Sequence, residues 1–352
     1  MAIWEFGWRQ RFGGGAWHCG VAAANMAASE IAKSRRSFVM SRLGLLLGWM
    51  VAGLGAPLLA ADLKVSQEEG KVVVTLDGQF FAQYLIKSGA KPIIWPIVGP
   101  NGKEMTRGYP MRDAIATEKK DHIHHRSFWF THGDVNGVSF WDEQGGNGEI
   151  IHKEFLKVKG GEQAVISTRN EWIGPDKKKH CEDIRTFTFG GDKNIRWVDA
   201  EVTVLATHGP VKFGDTKEGC FGLRVAGSMR TELKKGGKIL NSEQQTDAGA
   251  WGKPAAWVDY SGPVEGQTAG VAIFNHPSSF RFPTYWHVRT YGLFAANPFG
   301  LHNFIGKEKD GSHSLKQGES FTLKYRVYFH KGDAEEGRVA EAYKAYATAK
   351  KR

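Results

Sequence analysis

Residues 321–329 read FTLKYRVYF: Phe321, Leu323, Tyr325, Val327 and Phe329 fall on one side, and Thr322, Lys324 and Arg326 on the other. A period of two with one apolar side describes a half-buried strand of an antiparallel sheet. Weaker runs of the same kind are KVVVTL (71–76), QFFAQYLI (79–86), IIHKEFLKV (150–158), AVISTRNEW (164–172), IRTFTF (184–189), IRWVDAEVTVLA (195–206) and AGVAIF (269–274). Turn signals such as Asp77-Gly78, Asn101-Gly102 and Gly190-Gly191-Asp192 separate them. One helix is expected, after Asp333 as N-cap, with Val339, Tyr343 and Tyr346 at helical spacing and basic residues in its last turn. A dozen or so short strands without βαβ alternation predict a large antiparallel β-sandwich with a C-terminal helix. No fixed-period repeat points to a propeller.

The N-terminal part reads differently. From Met40, MSRLGLLLGWMVAGLGAPLLAAD has a short basic start, an apolar run over 43–59 and small residues at Ala60-Ala61, the pattern of a secretory signal peptide. An uncleaved membrane anchor is the alternative; glycines interrupt the run, and no cysteine follows it to carry a lipid. Residues 1–39 then read as an extension from an upstream start codon. The domain expectation is a leader at 1–39, a signal peptide at 40–61 and a single β-sandwich domain at 62–352.

Removing 61 residues from 352 leaves 291, enough for a large core. The six basic and two acidic residues before Asp62 reduce 47 and 37 to 41 and 35, a net charge of +6. The positive charges are scattered among acidic stretches, so no nucleic-acid partner is expected. Cys181 and Cys220 remain, too few for a multi-cysteine zinc site, and their pairing is left open. No run of 18 apolar residues follows Ala61, so no stable membrane span is expected after cleavage, and the chain is expected in the periplasm or outside the cell.

Residues 121–137, DHIHHRSFWFTHGDVNG, hold the densest chemistry. If 122–130 is extended, His122, His124, Arg126, Phe128 and Phe130 share one face. A His-x-His pair could hold a divalent metal with His132 or a carboxylate such as Asp134 as third ligand. The same residues suit metal-free proton transfer, with Arg126 gripping a carboxylate or hydroxyl. Four histidines and an arginine within eleven residues are costly to bury without partners, which favours a functional cleft over core.

Other polar clusters sit at expected strand ends: Asp215 and Glu218 in FGDTKEG, Asn275 and His276 before Pro277, Asn136 in the GDVNG turn, and His287, Arg289, Tyr291 and Asn297 in PTYWHVRTYGLFAANPFG. Eight tryptophans follow Ala61; a few of them at a cleft would offer flat platforms to a sugar ring.

Together, DHIHHRSFWFTHGDVNGVSFW, FGDTKEGCFGLRVA, WGKPAAWVDYSG, IFNHP and PTYWHVRTYGLFAANPFG resemble the PmoA-like ("methane oxygenase PmoA") family of exported bacterial proteins, over nearly all of 65–330. Ile123 departs from the proline usual there. The resemblance implies a fold similar to the galactose-mutarotase-like supersandwich, with a cleft across one sheet. The leading functional expectation is a carbohydrate-active enzyme, an epimerase, lyase or hydrolase. In it His124 or His125 is the general acid, Glu218 or His276 the base, and Arg126, Asp134, Asn136, Asp215, His287, Arg289 and Asn297 bind a small-molecule or glycan substrate. The alternatives are a metal-dependent oxygenase or hydrolase holding one divalent metal on His122, His124 and His132, and a non-catalytic glycan-binding module.

Overall fold

The structure, a computed structural model, describes residues 61–349. The expected leader and the signal peptide, Ala61 apart, lie outside them. The first strands are β1 (Leu63–Glu68), β2 (Lys71–Leu76), β3 (Gln79–Ser88), β4 (Lys91–Ile97), β5 (Phe128–His132), β6 (Glu149–Lys159), β7 (Ala164–Ile173), β8 (Lys179–Gly191) and β9 (Ile195–Leu205). They are followed by β10 (Val211–Phe213), β11 (Gly219–Arg224), β12 (Lys238–Asn241), β13 (Trp257–Val264), β14 (Gln267–Asn275), β15 (Tyr285–Val288), β16 (Leu293–Asn297), β17 (His313–Leu315) and β18 (Ser320–Lys331). Two α-helices are present among the described residues, α1 (Leu301–Phe304) and α2 (Val339–Thr348).

The long strands form two antiparallel eight-stranded sheets. The first has the order β1-β2-β3-β4-β5-β11-β16-β15 and the second β12-β13-β14-β18-β9-β8-β7-β6. The expected run at 321–329 lies within β18, central in the second sheet, paired with β14 and β9. Its five apolar side chains are buried and join the core between the sheets. From the first sheet Phe81, Phe130 and Phe221 meet Phe189, Trp172 and Tyr325 of the second, at ring-centre distances of 5.6, 5.8 and 4.6 Å. These are distances at which aromatic pairs add to area burial.

The two outer faces differ. On the second sheet Phe274 and Tyr328 are covered by Val339 and Tyr346 of α2. That helix is shorter than expected: Asp333 accepts from the backbone N–H groups of Glu335 and Glu336 in a preceding turn, and helical structure begins after Arg338, at φ 50°. On the first sheet, the segment 121–127 and the loop between β5 and β6 cross over the strands and carry the polar residues below.

Candidate functional site

A transverse row on the outer face of the first sheet, Ile93, Trp129, Gly222, Ala295 and His287, crosses β4, β5, β11, β16 and β15. Directly paired residues share a face, so Trp129 and His287 both point away from the core. A Cβ on Gly222 would stand 2.6 Å from the Trp129 ring, so a residue without a side chain lets this indole lie across β11. On Trp129 rests a stack: His125 at 5.4 Å, His122 on His125 at 4.7 Å, and Tyr291 on His122 at 5.3 Å, with interplanar angles of 13°, 1° and 4°. His124 stands edge-on to His125 at 4.5 Å.

The segment carrying these histidines is a turn, not the expected extended strand. His122 (φ 41°) and Ser127 (φ 55°) are left-handed, and the N–H of His125 donates to the His122 carbonyl at 3.0 Å. Arg107 ties the turn down from beneath, donating to the carbonyls of Lys119, Asp121, His122 and His125. Arg107 and Arg224 both donate to Oδ1 of Asp121, at 2.6 and 2.9 Å. Burial alone would raise the Asp121 carboxyl, but Arg224 and then Arg107 hold it below the usual carboxylate range. Its Oδ2 lies 3.2 Å from Nδ1 of exposed His122.

Two further loops close around the stack. Arg126 forks onto Glu143 at 2.7 to 2.9 Å, and buried Lys91 reaches the same carboxylate at 2.6 Å. This clamp fixes the neighbouring Asp142, whose Oδ1 is 3.5 Å from Nδ1 of His124. Burial first, and then Lys91 and His122, push the His124 imidazole down to about 4. Burial, and next the charge of Glu218, raise the Asp142 carboxyl. His287 on β15 donates Nδ1–H to the Lys217 carbonyl at 2.8 Å and is likewise pushed down by burial to about 4. The charge of Glu218 bears on His124, Asp142, His287 and Tyr291 together, which marks these groups as one candidate cleft. Arg289, exposed, lies over the rings of Trp251 and Tyr291 at 5.8 and 5.7 Å.

The structure thus brings His122, His124, Glu218, His287 and Arg289 together, and the remaining expected residues sit elsewhere or are engaged. His125 is fully buried, and its Nδ1 accepts from Arg224 at 2.9 Å, so it supports the turn and does not reach a substrate as the expected general acid. Arg126 is committed to Glu143. His132 shares the inward face of β5 with Phe128 and Phe130; it bonds to the Gly214 carbonyl at 2.8 Å and touches Cys220, Phe213 and Phe299. The expected set of His122, His124 and His132 is therefore not assembled, and among the described residues no three His, Cys, Asp or Glu side chains converge as a metal would need.

His276, the expected base, follows β14 in the second sheet and packs beside Tyr346 of α2 at 5.1 Å, away from this site. Asp134 accepts from Gly137 N–H, and Asn136 accepts from Lys212 N–H while donating to the Pro210 carbonyl. Asp215 accepts from the N–H groups of His302 and Gly311. Asn297, buried, joins the Thr216 carbonyl to the Phe299 N–H. All four hold loops. Cys181 and Cys220 are both buried and unpaired.

Asp121, Asp142, Arg224 and Trp251 were not singled out from the sequence. Asp121 and Arg224 lie within the quoted motifs, but only folding brings β11 against the turn. A depression of about 680 Å³, lined by Ser279, His313, Glu319 and Lys324 among others, shares no residue with this site.

Fold and site together define an antiparallel two-sheet protein with a polar and aromatic cleft on the outer face of one sheet. Residues 71–344 match the description "Family of unknown function (DUF6807)", and the chain belongs to that family. This corrects the PmoA-like resemblance: the motifs that carry it all fall inside the matched span, and what they mark is the DUF6807 family. No curated protein matches the chain. Among solved structures it is similar to an alpha-galactosidase from Lactobacillus brevis (8% identity, 78% of this chain and 40% of that one, TM-score 0.39). It is also similar to a galactose mutarotase-like protein from Lactobacillus casei (9%, 76% and 100%, TM-score 0.37). A third is an alpha-galactosidase from Geobacillus stearothermophilus (11%, 78% and 41%, TM-score 0.36). The chain spans about two fifths of the length of the two alpha-galactosidases. Likenesses this loose accord with the β-sandwich described above and carry nothing about activity.

Proposed function

We propose that this protein is a carbohydrate-active enzyme working by acid and base transfer in the cleft between Glu218, Asp142, His124 and His287. One observation carries the reading: three separate segments bring His124, Asp142 and His287 towards Glu218, with Asp142 Oδ1 3.5 Å from His124 Nδ1 and His287 bonded at 2.8 Å to the carbonyl of Lys217, the neighbour of Glu218. Two carboxyl groups in unlike surroundings divide acid and base work. Asp142, with its carboxyl raised, is the proton donor, and Glu218, held by Lys217 at 2.7 Å, is the base. His124 and His287 are neutral near pH 7 and serve as hydrogen-bonding groups, because an imidazole pushed down to about 4 carries little protonated form there. The rings of Tyr291 and Trp251, with Arg289 over them, add an aromatic edge to this site.

For a sugar hemiacetal, Asp142 protonates the ring oxygen while Glu218 takes the proton of the anomeric hydroxyl. The bond from the anomeric carbon to the ring oxygen breaks, and a carbonyl forms. The apolar run at 43–59 before Ala60-Ala61 supports action after export, in the periplasm or outside the cell.

The test is anomer exchange by NMR over a panel of aldoses and uronic acids, for the protein and for Glu218→Gln and Asp142→Asn. The expected result is acceleration of at least one sugar and a loss of roughly 100-fold or more in each variant. Acceleration that survives Glu218→Gln, or none with any sugar, contradicts the proposal.

A further inference from the structure

We infer that the substrate carries a carboxylate, as a uronic acid does, and that Arg289 grips it. This rests on the cleft being the sugar site. Around that cleft the other basic groups have acidic partners: Arg107 and Arg224 on Asp121, Arg126 and Lys91 on Glu143, and Lys217 on Glu218. Arg289 alone of these has no carboxylate within ion-pair distance among the described residues. Its guanidinium lies over two aromatic faces, which orient its plane without using its N–H groups. Its backbone is fixed too, in a turn where Arg289 N–H donates to the Leu293 carbonyl and the buried Tyr260 hydroxyl lies within hydrogen-bond distance of the carbonyls of Arg289 and Thr290. A guanidinium held in this way presents a fork matched to the two oxygens of a carboxylate.

A second observation agrees. Nε1 of Trp251 is a buried donor with no partner among the described residues. Trp251 Nε1 belongs to the ring beneath Arg289. A site with surplus donors is completed by a ligand rich in acceptors, and a carboxylate is acceptor only.

The experiment is calorimetric titration of the full chain with glucuronate, galacturonate and the parent neutral aldoses, repeated with Arg289→Gln and Arg289→Lys. We expect a uronate to bind roughly 10- to 100-fold more tightly than its neutral parent, a difference lost in Arg289→Gln and only partly kept in Arg289→Lys. Equal affinity for acid and neutral sugar, or a preference that survives Arg289→Gln, overturns the carboxylate inference and leaves the sugar cleft standing. Absence of binding by every sugar overturns both.

Discussion

His124 and His287 lie in the cleft with imidazoles pushed down to about 4, chiefly by burial. Their side-chain NMR signals should therefore stay flat from pH 8 to about 5.5 and move only towards pH 4; midpoints near 6.5 would mean that both remain solvated. The clamp beside them is testable through Arg126→Ala, which leaves Glu143 and Lys91 buried with an incomplete network. A loss of about 3 kcal/mol in denaturant unfolding is expected, with the His124 signal moving towards an ordinary titration as Asp142 is released. A change under about 0.5 kcal/mol would show that the clamp does not position the loop.

The residue scale also shows why the site was only partly legible. His122 and His124 stood out by density, but the spacing that pairs them with His132 assumes an extended chain. Positive φ at His122 and Ser127 breaks that assumption before Phe128, and His132 follows the parity of Phe128 and Phe130 into the core. Asp142 and Arg224 carry no local mark, because the contacts that define them span the distances from Asp142 to His124 and from Arg224 to Asp121.

Among the elements, the strands were the most legible part, because a two-sheet core imposes alternation on each of them. The run at 321–329 and KVVVTL at 71–76 lie in strands as read. The helix was read too long, since Asp333 caps a tight turn rather than α2 itself. Gly222 had no signal as a single glycine, yet its lack of a side chain seats Trp129. Gly222→Ala should destabilise the protein by about 1 to 3 kcal/mol and disturb the Trp129 indole resonance; a neutral result would show that the strand can yield. On the second sheet, His330 and Asp259 form a buried pair at 2.8 Å across β18 and β13. His330→Gln should cost roughly 3 kcal/mol because Asp259 is left buried without its partner.

For the whole molecule the buried histidines set opposite pH trends. His132 and His287 have folded values of about 4 against about 6.5 in an unfolded chain. As pH falls below about 6.5 the unfolded chain takes up protons that these sites refuse, so up to roughly 3 kcal/mol each is lost on the way to pH 4. His330 runs the other way. Burial alone would lower it, but Asp259 raises it, so its contribution is complete below about 6.5 and fades as pH rises through the raised value. The melting temperature should accordingly fall between pH 6.5 and 4, and less steeply in His132→Gln; an unchanged slope would assign the loss to other groups.

Under the proposed function, sugar binds on the outer face of the first sheet. The most direct test is the indole N–H spectrum of ¹⁵N-labelled protein titrated with glucuronate and with glucose. A saturable shift of the Trp251 indole is expected, with Trp197 on the second sheet unmoved. Shifts at Trp197 without Trp251, or no shift at saturating sugar, would contradict it.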